Sequence, residues 1–219
     1  RDIDRSRGIG DVYKRQYEDR WGGEMDWNKN FRGGDVIYGE SIYTSRWEVL
    51  GVYQLPLREE IKLQFSANGH HQNSVYGNTV YLADQSVAFG QFTWRKRLPG
   101  NEFLAGVTYR MTYFDDNTVA TQGIMGNQPS TIHLPGLFIQ NELSLSHRHS
   151  LLLGLRYDYN SVHGSILSPR INYKWLSENK RHVIRLSAGN GYRVASVFTE
   201  DHAALTGART VEFASELEL

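Results

Sequence analysis

The sequence predicts an all-β fold: an antiparallel, up-and-down transmembrane β-barrel, of which this chain supplies about eight strands. Three observations predict it. Apolar and polar residues alternate with a period of two over stretches of about ten residues. The connections between these stretches are short at one end and long at the other. Aromatic side chains gather near the stretch ends, at Tyr43, Trp94, Tyr109, Tyr113, Tyr157 and Trp175.

Composition supports strands and removes other classes. The 219 residues include 13 Tyr, 9 Phe, 5 Trp and 21 Gly but 5 Pro, a mixture that favours strands over helices. The 24 basic side chains balance the 24 acidic ones, so neither a nucleic-acid partner nor a disordered polyelectrolyte is expected. The absence of cysteine removes disulfides, thiolate metal sites and cysteine nucleophiles together. The longest apolar run, residues 151–155, falls far short of the roughly 18 to 20 residues of a membrane-spanning helix.

The first predicted strand covers residues 42–55, and "PLREE" turns it into the second, 61–70, where Ile61, Leu63, Phe65 and Ala67 alternate with Lys62, Gln64, Ser66 and Asn68. A long connection from His70 onward leads to a third strand at 87–97. "LPGN" then opens the fourth, 102–114, with Phe103, Ala105, Val107, Tyr109, Met111 and Tyr113 on one face and Gly106, Thr108, Arg110 and Thr112 on the other. A second long connection follows Phe114. Strands at 137–147 and 150–159 are joined by "SHRHS"; the latter sets Leu151, Leu153, Leu155, Tyr157 and Tyr159 against Gly154, Arg156 and Asp158. A third long connection reaches the strand at 168–176, where Ile171, Tyr173 and Trp175 oppose Arg170, Asn172 and Lys174. "SENKR" turns into the eighth, 182–189, and a long segment follows Gly189.

Soluble sandwiches alternate in the same way, but their strands usually number about five or six residues. The longer strands, the tight turns confined to one end and the aromatic ends match an outer-membrane barrel. The aromatic faces then meet lipid and the Lys, Arg, Asn and Gln faces meet the lumen. Turning residues 61–68 the other way would point Lys62 at lipid, at about 2–4 kcal/mol near the bilayer midplane.

The segments "LLLGLRYDYNSVHGSILSPRINYKW" (151–175) and "IRLSAGNGYRVASVFTEDHAALTGAR" (184–209) resemble the later barrel strands of TonB-dependent outer-membrane receptors, especially those of Bacteroidetes-type bacteria. The series "GLRYD", "SPRINY" and "GYR", followed by the acidic Glu200, carries the resemblance, which runs from about residue 38 to the end. Val194 and Ala195 depart from it, standing where many relatives carry a proline. The resemblance implies a barrel of about 22 strands in the bacterial outer membrane, its lumen closed by an N-terminal plug. It implies an active importer and not an enzyme. A scarce nutrient, with a ferric siderophore or similar iron or cobalamin complex as the leading expectation, would bind the extracellular loops and plug. An inner-membrane TonB complex would pull on the plug to release it. The implied partners are outer-membrane lipid, the plug, the TonB complex and a small-molecule or metal-chelate ligand, with no cofactor. Residues 17–219 are then expected to be an internal part of the barrel, without plug or closing strands.

"GDVYKRQ", residues 10–16, reads differently. "DVYKRQ" back-translates as GAT GTG TAT AAG AGA CAG, the end sequence of a transposon used to prepare sequencing libraries, and "RDIDRSRGIG" before it is charge-rich and aperiodic. Residues 1–16 are therefore expected to be non-native and are set aside from the strand reading. Without them the chain is mildly negative.

Loops carry function more often than strands do. The candidate substrate contacts are His70, His71, Tyr76 and Tyr81 in the first long connection, Asp115 and Asp116 beside Asn117 at an outer strand end, and Glu200, Asp201 and His202 in the last segment. Each set competes with an ordinary solvated loop, and Glu200 and Asp201 also suit loop anchoring. Arg110, Arg156, Arg170 and Arg185 face the predicted lumen, as structural ion-pair partners or as contacts for acidic plug groups or anionic substrate. His133, His163 and His202 lack the spacing of a metal site, and "HRH" at 147–149 falls on a predicted periplasmic turn, so no metal is assigned. Ser196 near Glu200 does not make a hydrolase, because one loop does not by itself bring nucleophile, base and acid into hydrogen-bond reach. "GNGYR" lacks the lysine-serine sequel of a phosphate-binding loop. No catalytic residue is assigned. Two other classes predict different things: a small complete barrel, an adhesin or membrane enzyme, predicts a gene of about this length with a leader, and a soluble β protein predicts partition into buffer without detergent.

Overall fold

The computed structural model describes residues 9–118, 120–123 and 126–193. The chain runs through β1 (Ile9–Gly23), β2 (Gly39–Gln54), β3 (Glu60–Tyr76), β4 (Thr79–Leu98) and β5 (Asn101–Asp116). A small hairpin of β6 (Gln122–Gly123) and β7 (Gly126–Asn127) follows, then β8 (Ser130–Ser146), β9 (His149–Asn160), β10 (Gly164–Leu176) and β11 (Val183–Gly189). Apart from the small hairpin, the strands form one antiparallel sheet in sequence order, so each pairs with the strand before and after it, as an up-and-down wall requires. Among the described residues β1 and β11 are its two edges.

Residues directly opposite one another share a face. Lys62, Thr93, Gly106, Phe138 and Arg156 lie on one row across five strands, and Ile61, Trp94, Ala105, Ile139 and Leu155 on the adjacent row, facing the other way. The second face is the apolar wall: Val107, Leu137 and Ile139 stay 57%, 55% and 52% exposed. Buried apolar side chains are confined, among the described residues, to Val75, Tyr81 and Ala83. A soluble domain of this length would bury far more of its apolar surface. The sheet is a wall with a lipid side, not half of an aqueous core.

All eight predicted strands are present, most of them longer than expected, and β1 is additional. It begins inside the stretch set aside as non-native and pairs with β2 from Ile9–Tyr53 to Gly23–Gly39. Sheet pairing uses main-chain groups, so an open edge accepts an extended segment with little regard for its side chains.

The connections correct the sequence reading at one end. The four tight turns fall as predicted. The long connection after His70 does not exist: β3 and β4 continue to a two-residue turn at Gly77–Asn78, with Tyr76 opposite Thr79 and Gly77 at φ +59°. The connection after Tyr159 shrinks to residues 161–163. The physical reason is length. β4 has 20 residues, about 68 Å at roughly 3.4 Å per residue, while a tilted crossing needs about 9–11. Beyond the bilayer both faces are wet, alternation fades, and a polar strand looks like a loop. The segment 24–38 is a genuine long connection. It is held down by Arg32, whose Nε donates to Ser41 Oγ (2.7 Å) and whose Nη2 donates to Asn73 Oδ1 (2.6 Å), while the guanidinium lies 4.7 Å from the Tyr43 ring centroid.

Candidate functional site: the inner wall and its rim

Near the tight-turn end the inner face is self-neutralised. Glu60 on β3 meets Lys62 (3.3 Å), Arg95 (3.5 Å) and Arg97 (3.4 Å), and Glu102 on β5 meets Arg95 (3.2 Å) and Arg97 (3.1 Å). These groups are partly exposed, so each pair contributes modestly, but the lattice ties three strands together. Sequence reasoning did not find it. The signal was the paired arginines of "WRKRL" placed opposite "EIK" and "NEF" by the turn lengths.

Higher on the wall Arg156 forms a two-pronged contact with Asp158: Nε donates to Oδ2 and Nη2 to Oδ1, both at 2.7 Å. Nη2 also reaches Thr108 Oγ1 at 3.2 Å. Asp158 is fully buried although it sits on the wall's surface, because Gly136 directly opposite has no side chain to compete for the space. A Cβ at Gly136 would collide with Asp158 Oδ1. Arg110 faces inward between Phe89 and Leu134, Arg170 between Gly154 and Gly189, and Arg185 opposite Lys174.

At the rim, His70, Tyr76 and Tyr81 occupy strands and not a loop. Register puts these three on the inner face and His71 on the outer, where its Nδ1 lies 2.7 Å from Asp84 Oδ1. The adjacent Asp115 and Asp116 likewise take opposite faces. Asp116 is buried and organises the start of the β5–β8 connection: its carboxylate accepts from the Thr118 amide (3.1 Å) and from the hydroxyls of Thr118 (2.8 Å) and Thr121 (2.7 Å). Asp115 Oδ2 accepts from Asn127 Nδ2 at 3.1 Å. Thus Asp116 serves as a loop anchor, and the residues of the two sets are divided between two faces of the wall. Glu200, Asp201 and His202, with Ser196, lie outside the described residues. Among the described residues no group of three His, Asp or Glu is arranged for a metal ion.

Tyr81, beyond the crossing, is pushed up to about 12 by burial, with the negative charge of Asp116 and nearby Tyr76 adding to it. The unfolded phenol ionises near 10, so the folded protein holds this proton longer. The stability gained is full below about pH 10 and is lost as pH rises to about 12. We expect Tyr81→Phe to remove that part of the alkaline loss, seen by comparing unfolding midpoints of the two proteins across this range.

A family model described as TonB dependent receptor-like, beta-barrel, matches residues 2–208. No curated protein matches the chain. The crystal structure of the siderophore receptor PirA from Pseudomonas aeruginosa superposes with a TM-score of 0.55 at 12% identity, over 74% of this chain and 31% of that one. At such identity the likeness is one of fold, and the present chain spans about a third of that receptor's length. An up-and-down wall with an apolar outer and polar inner face, matched over most of its length, leaves one assignment: the chain belongs to the TonB-dependent receptor-like β-barrel family of bacterial outer-membrane proteins.

Proposed function

We propose that this wall is part of an energy-coupled receptor that imports a scarce nutrient across the outer membrane, a ferric siderophore or a similar iron or cobalamin complex. The carrying observation is the division of the sheet into a lipid face and a hydrogen-bonded, arginine-bearing inner face, which suits a wide polar lumen. The siderophore receptor of similar fold supports an iron chelate as ligand. A plug domain and an inner-membrane TonB complex are the partners, and the activity is transport without a chemical step.

We also propose that residues 1–16 are not native to the gene. Arg15 stands opposite Trp47 on the outward face, where a lipid-facing strand would carry an apolar residue. Sequencing the source DNA across the junction of Gln16 and Tyr17 tests this: the proposal requires "DVYKRQ" to vanish and a plug with a leader to precede Tyr17. Persistence of the heptapeptide in frame after a nearby start codon would overturn it and favour a small complete barrel. The intact gene should then restore uptake of a labelled iron chelate to an uptake-deficient strain, dependent on TonB. Restoration that persists without TonB would sink the energised reading.

A further inference from the structure

The outward face of β8–β11 carries a groove. Whatever occupies the lumen lies behind the sheet, and any further strand joins it in its own plane at an edge, so neither covers this face. Six apolar side chains line the groove from the outward side: Ile139, Leu155 and Pro169 on one row, Leu153, Ile171 and Ala188 on the next. Pro169 and Ala188 are short among longer leucine and isoleucine side chains, which opens the groove, and the main chain of Gly154 and Gly189 forms part of its floor. Its volume is about 570 Å³, well within the range of small-molecule sites. The two tight turns that join these four strands are basic. "SHRHS" carries Arg148 between two histidines, and "SENKR", followed by His182, carries Lys180 and Arg181 with Glu178 as its acid. All three permanent cations are exposed. The turns touch, because the Leu176 amide donates to Arg148 O (2.8 Å) and Arg148 Nη1 lies 3.5 Å from Glu178 Oε1. The other two tight turns differ: "PLREE" has an excess of acid and "LPGN" has no charge.

We propose that the groove and the two basic turns together bind one anionic glycerophospholipid of the periplasmic leaflet, its acyl chain in the groove and its phosphate on Arg148, Lys180 and Arg181. The short turns of such barrels lie on the periplasmic side. Charge complementarity selects an anionic headgroup, since three fixed cations face one acid, and the groove is continuous with the wall's lipid face. The spacing fits one leaflet. Leu153 and Leu155 stand four and six residues from His149, about 14 and 20 Å along the strand at roughly 3.4 Å per residue. Strand tilt reduces this to about 10 and 15 Å of depth, and half of a hydrocarbon core is about 15 Å. Between groove and turns lie the outward Tyr173 and Trp175, with Tyr173 Oη 2.6 Å from His149 Nδ1, an aromatic pair of the kind that sits at headgroup level. The site is independent of what the receptor imports.

The test uses the intact receptor in neutral detergent, mixed with phosphatidylglycerol or with phosphatidylcholine of the same acyl chains, and counts retained lipids by native mass spectrometry. Phosphatidylglycerol should be held about tenfold or more tightly than phosphatidylcholine. The triple variant Arg148→Gln, Lys180→Gln, Arg181→Gln should abolish that preference; all three side chains are exposed, so the barrel should still fold. Ala188→Phe fills the groove with an apolar group that suits a lipid face, and should weaken both lipids while keeping the preference between them. Arg58→Gln, on the acidic turn "PLREE", controls for loss of a cation elsewhere and should change nothing. Equal retention of the two lipids by the unmodified receptor, or an undiminished preference in the triple variant, overturns the proposal. Retention untouched by Ala188→Phe, or displacement of the lipid by excess glycerol 3-phosphate, would make the turns a site for free anions and overturn it as well. A receptor that runs as a dimer in detergent, and as a monomer once Ala188→Phe is introduced, would give the groove to a second copy of this chain and sink the lipid assignment.

Discussion

Phe65→Lys should destabilise the protein in a bilayer by about 2–4 kcal/mol or more, whereas Ser66→Lys, one residue along the same strand, should stay within about 0.5 kcal/mol. Phe65 lies about midway along the crossing part of β3, on the outward face opposite Gly51 and Gly90. Its ring covers Gly51 so closely that a Cβ on that glycine would collide with it. A lysine there brings an ammonium into hydrocarbon and also uncovers the glycine backbone, so two costs add. Ser66 is opposite Leu50 and Phe89 on the inner face, where a lysine can extend towards water. Equilibrium unfolding of both variants in lipid vesicles checks the prediction. Equal losses would mean that the two faces of the sheet are not divided between lipid and lumen as described.

The same division explains what the sequence made legible. Between the two membrane interfaces one face must be apolar, so alternation is enforced and strands such as 61–70 and 102–114 can be read directly. Above the interface that pressure ends. "HHQNSVYGNTVYLADQS" reads as a loop because both its faces are largely polar, although "GN" between "SVY" and "TVYL" is a hairpin signal. The clustering of Glu60 with Arg95 and Arg97 is illegible for a different reason: residues some 35 apart become neighbours only once the length of the β3–β4 turn and the register of that pair are fixed. Asp158 read as one polar residue among several on its strand. Its burial follows from a glycine on another strand, which no local pattern reveals.

That dependence can be measured as a coupling. Asp158→Ala removes the two-pronged partner of Arg156. Because the Arg156 side chain is 39% exposed and can turn to water, the cost should be about 1–3 kcal/mol, below the roughly 3–5 kcal/mol of breaking a fully buried pair. Gly136→Val should cost a similar amount by a different route: its side chain takes the space of Asp158 Oδ1 and crowds the Thr108 hydroxyl, which expels the carboxylate from Arg156. In the double variant the carboxylate is already gone, and the Thr108 hydroxyl can rotate away. Valine then meets an empty slot on a strand, where a β-branched residue is favoured over glycine. Gly136→Val should therefore be destabilising in the unmodified protein and neutral or stabilising in the Asp158→Ala background, a coupling of about 1–3 kcal/mol. Denaturant unfolding of the four proteins in one lipid gives the cycle. Additive losses would show that the glycine is there for the backbone and not for the aspartate. A reversal of sign would make the Gly136–Asp158–Arg156 group a single unit of the inner wall, in which a missing side chain on β8 sets the charge pairing on β9.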